Sequence, residues 1–338
     1  MSEILAPCGA MESLTAAVNA GADAVYLGEE YFSARKNADN FTAEQLCDAV
    51  RFCHYSGVKV YVTLNTLVFD REIPLLAKAI ENCAKADVDA FIVQDMGVAR
   101  LARQIVPELP LHASTQMTVN SPEGAIMSKE LGFTRVVLGR ELSLAQIKAI
   151  TESCEIETEL FVHGALCVCI SGQCYMSSVL GGRSGNRGLC AQPCRLDFTS
   201  GDRHNVLSLK DLSLTEKLPE LAKAGITSFK IEGRMKRPEY VAGAVNACRV
   251  ALDGGTPDLI SLKNVFSRSG FTSGYFDDDF KNMQGVRTKD DVTSATSKVL
   301  SAMKQYYHKP FRRFPADITV NVKSGQPVSC LLYTSDAA

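Results

Sequence analysis

Five of the twelve cysteines lie between residues 167 and 194, in a stretch rich in glycine and arginine. Four of them follow a Cys-x6-Cys-x15-Cys-x3-Cys spacing, and four thiolates around one centre bind either a structural zinc ion or an iron–sulfur cluster. Zinc sites usually use closer Cys-x2-4-Cys pairs, and the first pair here is more widely spaced. Irregular backbone, whose N–H groups can donate to sulfur, favours the cluster. The predicted ligands are Cys167, Cys174, Cys190 and Cys194.

Cys169 is a fifth thiol in this stretch, either a spare or a replacement for one of the four ligands. Inert buried cysteines are the alternative interpretation of the whole stretch, and a loop of Gly and Arg offers them little apolar burial. The sequence contains no recognisable secretion signal, and reduced intracellular thiols would disfavour a disulfide framework. Metal or redox chemistry is therefore the leading explanation of this stretch.

The same stretch is locally basic, because Arg183, Arg187 and Arg195 occur there without any acidic residue between 181 and 195. Such a patch could bind a phosphate, a small carboxylate or an RNA backbone through forked hydrogen bonds. The alternative is a solvated loop face. We take Arg183, Arg187 and the more distant Arg234 as candidate substrate-binding residues.

Three charged residues share one face of the last predicted barrel strand, because a period of two aligns Lys230, Glu232 and Arg234. Unpaired burial of three charges would be costly, so they either form a structural salt-bridge set or line a wet, functional opening. The catalytic candidates are Glu232, His163 and Lys230, with Glu232 and His163 as groups for proton transfer. A hydrogen-bonded structural histidine is the alternative for His163.

The elements that must position these groups are predicted from a sequence pattern that repeats over the first 250 residues. Each repeat is a short apolar strand followed by an amphipathic helix, which is a βα unit. This predicts an α/β fold, a TIM-like (β/α)8 barrel, with a doubly wound open sheet as the alternative. Predicted helices cover 11–20, 43–54, 73–86, 97–106, 121–131 and 144–153. Predicted strands cover 3–6, 24–27, 59–64, 90–93, 111–114, 135–138, 159–162, 205–208 and 228–231.

In a barrel, active groups lie where the strands end, and Asn65 and Gln116 occupy such positions as further candidates for substrate binding. The barrel is predicted over residues 1–253, with a Cys-rich insertion at 164–204. A helical and loop extension at 254–310 follows, with one helix over 294–306. Residues 311–338 alternate like strands and are interpreted as the start of a truncated β-rich domain.

Composition limits the function classes. The 338 residues are 46% apolar, and 36 Lys and Arg against 38 Asp and Glu give a net charge of −2, so any RNA contact must be local. No basic segment leads into an apolar run, which predicts a soluble, cytoplasmic protein without a membrane partner. His-Glu-x-x-His, Gly-x-Ser-x-Gly and nucleotide-binding glycine motifs are also absent from the sequence.

The run from Glu159 to Ser177 reads E-x-F-x-x-G-A-L-C-x4-G-x-C-x-M-S and resembles the signature of the collagenase-like peptidase family U32. The likeness extends to Leu-Ala-Pro-Cys-Gly at the start, Gly-Ala-Asp-Ala-Val-Tyr-Leu-Gly, Cys-Ala-Gln-Pro-Cys-Arg and Lys-Ile-Glu-Gly-Arg, and it covers most of the chain. The signature is long and chemically mixed, which makes a chance match a poor explanation.

The resemblance implies one of two activities. Older family names describe proteases or collagenases, whereas better-defined members are oxygen-independent hydroxylation proteins with a [4Fe–4S] cluster. These act on a tRNA uridine, an rRNA cytidine or a quinone precursor, with prephenate implicated as the hydroxyl source. Carried across by motif, the cluster ligands are Cys167, Cys174, Cys190 and Cys194. We therefore expect an iron–sulfur RNA hydroxylation enzyme with RNA and a small carboxylate as partners.

A collagenase-like peptidase acting on peptides is the main alternative, with either a metal-dependent mechanism or a thiol mechanism in which His163 pairs with Cys167 or Cys174. A thiolate bound to iron cannot also be a free nucleophile, so the thiol mechanism and the four-cysteine cluster exclude each other. A third interpretation is a non-catalytic protein that carries a cluster for a partner chain.

Overall fold

Eight parallel strands close into a barrel in a computed structural model of the chain, which describes residues 2–35, 38–309, 311, 316–325 and 327–334. β1 to β7 pair in chain order, and β9 pairs with both β1 and β7. This confirms the TIM-like barrel and removes the open sheet. The strands are β1 Glu3–Pro7, β2 Ala24–Leu27, β3 Lys59–Leu64, β4 Ala90–Val93, β5 Leu111–Ala113, β6 Arg135–Val137, β7 Glu157–Gly164, β8 Asp211–Ser213, β9 Ser228–Ile231 and β10 Phe271–Thr272.

Helices surround the barrel, and the six predicted ones begin and end within one residue of the prediction. Their starts are marked by sequence signals: Thr42 and Ser143 form capping boxes, and Asp95 caps the helix after β4. The helices are α1 Met11–Asn19, α2 Ala43–Tyr55, α3 Ile73–Lys85, α4 Met96–Ile105, α5 Pro122–Glu130, α6 Leu144–Ser153, α7 Met176–Gly181, α8 Leu218–Lys223, α9 Pro238–Leu252, α10 Leu259–Val265, α11 Lys289–Thr293 and α12 Ser297–Lys304.

The strand predicted over 205–208 is wrong, because this segment lies in a loop and the chain returns to the sheet only at β8. Asn205 has a left-handed φ of 53°, and its N–H donates to the Asp197 carboxylate, so the backbone turns there. β8 runs antiparallel to the end of β7, with His163 opposite Ser213. β10 extends this small addition in parallel to β8, beside the carboxyl end of the barrel.

The remainder of the chain contains α10 to α12 and an antiparallel hairpin of β11 Ala316–Asn321 and β12 Ser329–Thr334. The helix predicted over 294–306 corresponds to α12. Residues 310, 312–315, 326 and 335–338 of the predicted extension and β-rich segment lie outside the described residues. Within the described part of the chain, no helix combines the length and the apolar character needed to cross a membrane.

Candidate active site at the barrel mouth

Glu232 lies just beyond β9, at the carboxyl end of the barrel, and forms an ion pair with Arg35 in the loop after β2. The Arg35 Nη2 to Glu232 Oε1 distance is 2.7 Å. Burial alone would raise the pKa of Glu232, but Arg35, Arg140 and Lys236 together lower it to about 2. Three cations therefore act on one ionised carboxylate at this opening, which we call the mouth.

Arg234 is buried at the mouth with hydroxyl partners instead of a carboxylate. Its Nη1 donates to Ser33 Oγ at 2.6 Å and to Thr63 Oγ1 at 2.9 Å, and burial lowers its pKa to about 10. Arg140 donates to the Ala165 carbonyl, but its Nε is buried without a partner among the described residues. Such guanidinium groups suit an anionic ligand.

His163 is 1% exposed, and the rings of Phe271 and Tyr240 lie against it. Burial lowers its pKa to about 4, so the imidazole is neutral at physiological pH. Nδ1 lies 3.4 Å from Ser213 Oγ, and Nε2 is buried without a partner in the described structure. No cysteine is among the described contacts of this ring, which gives a Cys–His dyad no geometric support.

Lys230 lies deeper in the barrel, where its Nζ contacts Glu159 Oε1 at 2.6 Å. Glu159 is fully buried and also accepts from Arg135, which binds Glu3 in turn. Tyr61 donates to Glu3 and completes this network. The geometry favours the salt-bridge interpretation for Lys230, and its assignment as a catalytic group stays a prediction.

The four predicted ligand cysteines influence one another electrostatically. Burial raises the pKa of the Cys194 thiol, and Arg195 partly opposes this shift. The remaining three thiols raise the same pKa further, so each of them lies within electrostatic range of Cys194. Those three are Cys167, Cys190 and Cys174.

Hydrogen-bond donors surround the sulfur of Cys190. The N–H of Gln192 lies 3.3 Å from Cys190 Sγ, and the Ser177 hydroxyl lies 3.8 Å from it. The Ala191 N–H donates to that hydroxyl at 3.1 Å and orients it. Donors to sulfur stabilise a thiolate, which is the form that binds metals.

The loop that carries the cysteines is fixed to the barrel by two of its arginines. Arg187 forms a bidentate ion pair with Glu72, at 2.6 and 3.0 Å, and its guanidinium lies over Phe69. Arg195 donates to the carbonyls of Leu166 and Leu209. Both side chains therefore have internal partners that the sequence did not indicate. Arg183 is exposed, with no side-chain partner among the described residues.

Asn65 and Gln116 lie together under the same loop. Gln116 Nε2 donates to the Asn65 carbonyl at 3.0 Å, and Asn65 Oδ1 accepts from the Ala34 N–H at 3.0 Å. Gly172 passes so close that a Cβ there would lie 2.3 Å from the Gln116 carbonyl oxygen. The Cys-rich segment 164–204, which we call the thiol loop, thus lies directly against a strand-end residue predicted to bind substrate.

The predicted ligand set at this site consists of four thiols. No three His, Cys, Asp or Glu side chains among the described residues are placed to hold one metal ion. The thiolates of a [4Fe–4S] cluster each ligate a different iron atom, so they stand further apart than the ligands of one ion. Four thiols, one of which has hydrogen-bond donors at its sulfur, have the chemistry of such a ligand set.

Comparison with known families agrees with this geometry, because the model of peptidase family U32 matches residues 9–284. The chain belongs to peptidase family U32. The resemblance inferred from the 159–177 run is therefore confirmed. The match includes all four cysteines, the strand-end residues and the charged segment after β9.

Relatives in family U32 carry different names. A 23S rRNA 5-hydroxycytidine synthase of Escherichia coli is 43% identical over 284 residues, covering 81% of this chain and 42% of that protein. A tRNA hydroxylation protein of Bacillus subtilis is 38% identical over 270 residues, covering 76% of this chain and 64% of that protein. A collagenase of Porphyromonas gingivalis is 36% identical, covering 81% of this chain and 73% of that protein. The chain thus spans less than two thirds of the first two relatives.

Several residues of the mouth were not among the predicted site residues. Arg35 pairs with Glu232, Lys236 lowers its pKa, and Arg140 lies over Phe161. Gln94, which follows β4, has a buried Oε1 without a partner among the described residues. Gln94 and Arg140 each follow the end of a strand, and this position was the sequence signal that could have identified them as site residues. Arg35 follows no strand directly, so its sequence position offered none.

Proposed function

We propose that this U32 protein is an RNA hydroxylation enzyme that uses an iron–sulfur cluster and no molecular oxygen. One observation carries the proposal: the thiol loop adjoins the charged mouth. Cys190 lies within electrostatic range of Arg35, which is the partner of Glu232. Relatives named for tRNA hydroxylation and for rRNA 5-hydroxycytidine synthesis support RNA as the substrate.

Cys167, Cys174, Cys190 and Cys194 would hold the [4Fe–4S] cluster. When bound, the cluster would supply one-electron redox or Lewis-acid chemistry beside the substrate base. Hydroxylation replaces a C–H bond by a C–OH bond and removes two electrons from the base. The reaction therefore needs an oxygen donor and a two-electron acceptor. For the acceptor we propose an external redox carrier, such as a flavin or iron–sulfur protein, which takes up the two electrons while the proton of the C–H bond passes to a base.

The oxygen donor we propose is a small carboxylate such as prephenate, bound near Arg234. Arg234 and Arg140 are cations without a carboxylate within ion-pair distance in the described structure, and Gln94 adds a buried, unpartnered oxygen. A carboxylate would satisfy the guanidinium groups, and a hydroxyl on the ligand could donate to Gln94.

Proton transfer is assigned to Glu232. Its pKa of about 2 makes it anionic at neutral pH, so it can accept a proton. If a substrate anion drew Arg35 away from Glu232, the pKa of Glu232 would rise because burial would be less opposed, and Glu232 would become a stronger base. His163 is neutral and is the second acceptor in the proposal, whereas Lys230 holds the strand through Glu159.

The RNA would approach over the thiol loop. Arg183 is exposed on this loop and would contact a phosphate, while Arg187 keeps the loop in place through Glu72. Asn65 and Gln116 would position the base from beneath, since they follow β3 and β5 and are joined by a hydrogen bond.

The test combines metal analysis with nucleoside mass spectrometry. Wild-type protein and a Cys167→Ala/Cys174→Ala variant are purified anaerobically, and iron and acid-labile sulfide are measured. RNA from cells lacking the gene is then analysed after complementation with each form. We expect about four irons and four sulfides in the wild type only, with a hydroxylated pyrimidine that the variant does not restore.

Metal-free, folded protein that resists reconstitution would overturn the proposal. So would restoration of the hydroxylated base by the double variant. Gelatin cleavage by the metal-free form, together with loss of cleavage in Cys174→Ala, would support the thiol peptidase instead.

A further inference from the structure

Three cations surround one aromatic ring beside the mouth. Lys236 Nζ lies 2.9 Å from the centroid of Phe266, and the guanidinium carbons of Arg287 and Arg268 lie at 4.4 and 5.4 Å. Tyr240 meets the ring at an interplanar angle of 84° and supports it from below. We call Lys236, Phe266, Arg268 and Arg287 the Phe266 cluster.

Negative charge within the Phe266 cluster is insufficient to balance these cations. Arg268 forms an ion pair with the buried Asp211. Lys236 and Arg287 have no carboxylate within ion-pair distance in the part of the chain that the structure describes. Burial lowers the pKa of Lys236 to about 8, and Arg268 and Arg287 lower it further, although the more distant carboxylates of Glu232 and Asp211 partly oppose this shift. An anion placed on the cluster would relieve this repulsion.

The position of the cluster connects it with the mouth. Lys236 belongs to the loop after β9, four residues beyond Glu232, and it is close enough to lower the pKa of that carboxyl. Arg268 lies on the segment that leads into β10, which pairs with β8 at the same end of the barrel. The cluster therefore flanks the opening through which a substrate base would enter.

Exposure distinguishes this cluster from the deeper arginines. Arg287 is exposed and Phe266 is half-buried, whereas Arg234 is only 5% exposed. An open group of cations cannot enclose a small anion, but it can contact a phosphate within a longer chain. The ring also holds the stems of the cations in place, which lowers the entropy lost on binding.

We propose that the Phe266 cluster binds a backbone phosphate of the RNA whose base enters the mouth. This inference rests on the proposed function, since it names the part of the RNA that this side of the mouth would hold. Contacts with phosphate set position and orientation and do not read sequence. The cluster would thus fix the register of the RNA relative to Glu232.

The experiment measures the affinity of the full chain for an unmodified tRNA transcript over a range of KCl concentrations. Lys236→Gln/Arg287→Gln is compared with Lys85→Gln/Lys129→Gln, which removes the same charge from exposed ends of α3 and α5 at the opposite end of the barrel. We expect the slope of log K against log salt to fall by about 1 in the first variant and to stay unchanged in the control.

Arg287→Gln alone provides a second variant, because this side chain is exposed and forms no ion pair among the described residues, so its loss should leave folding intact. It should weaken tRNA binding several-fold at low salt. Inorganic phosphate and pyrophosphate are titrated in parallel by calorimetry, to detect a site for small anions.

The outcomes separate the two proposals. Equal salt slopes for the wild type and both cluster variants, with tRNA binding intact, would overturn the phosphate site and leave the proposed function standing. Variant-sensitive binding of pyrophosphate without any change in tRNA affinity would also overturn it. Wild-type protein that binds no tRNA or rRNA fragment would overturn both.

Discussion

Replacement of Gly172 by Ala tests how closely the thiol loop must rest on the barrel. Gly172 has a φ of +80°, and an added Cβ would lie 2.3 Å from the Gln116 carbonyl oxygen. That atom belongs to backbone near the end of β5, so it cannot rotate aside as a flexible side chain would. The loop must move outward or the backbone must shift.

The magnitude follows from two separable effects. A left-handed conformation costs a residue with a Cβ roughly 1–2 kcal/mol. Steric overlap in a closely packed contact adds about 1–3 kcal/mol. Gly182 isolates the first effect, because its φ is +62° and nothing lies within 4 Å of the added Cβ. We therefore expect Gly172→Ala to be less stable than Gly182→Ala by about 1–3 kcal/mol.

Urea unfolding of both variants measures this difference, and the reaction of the native thiols with Ellman's reagent reports local opening of the loop. Cys174 and Cys169 should react faster in Gly172→Ala than in Gly182→Ala, because the loop that holds them is displaced. Iron content after anaerobic reconstitution should fall in the same order. Equal unfolding free energies together with equal thiol reactivity would refute the close contact.

Three further predictions concern buried charge and pH. Glu159→Gln removes the buried carboxylate that pairs with Arg135 and Lys230, so the free energy of unfolding in urea should fall by about 3–5 kcal/mol. Glu157→Gln removes an exposed partner of Arg135 and should lower it by less than about 1 kcal/mol. Equal losses in the two variants would contradict the burial argument. Burial lowers the pKa of His163 to about 4, so the unfolded chain binds the extra proton below pH 6.5. Between pH 6.5 and 4.5 the wild type should therefore lose about 2 kcal/mol more stability than His163→Gln, and parallel pH profiles would exclude this. Arg187→Gln removes the partly buried bidentate ion pair and should increase thiol reactivity at a cost of about 1 kcal/mol, while unchanged reactivity would show that the loop is held elsewhere.

The barrel could be predicted from the sequence because its signals are local. Each strand from β1 to β7 is a short apolar run bounded by turn residues, and capping residues such as Ser143 mark helix starts. The error at 205–208 arose where the chain leaves the repeat, since β8 is only three residues long and is fixed by β7 rather than by its own pattern.

Side-chain partners could not be predicted in the same way. Period-two alternation predicted that Lys230 and Glu232 share a face, but it could not show that Lys230 meets Glu159, 71 positions away. Arg187 was predicted to bind substrate, yet its guanidinium lies on Glu72, 115 positions distant. Such pairs depend on how loops cross the mouth, which neither composition nor spacing records.

The antiparallel contact between β7 and β8 also has an evolutionary consequence. Gly164 pairs with Leu212, so the long excursion that carries the cysteines leaves and rejoins the barrel at neighbouring positions. An insert whose two ends already meet adds little closure entropy and places few demands on its host. The cysteine segment is therefore an insertion at a single point of the fold, between Gly164 and Leu212. A barrel of this kind could gain, lose or exchange the segment there while its eight strands kept their register.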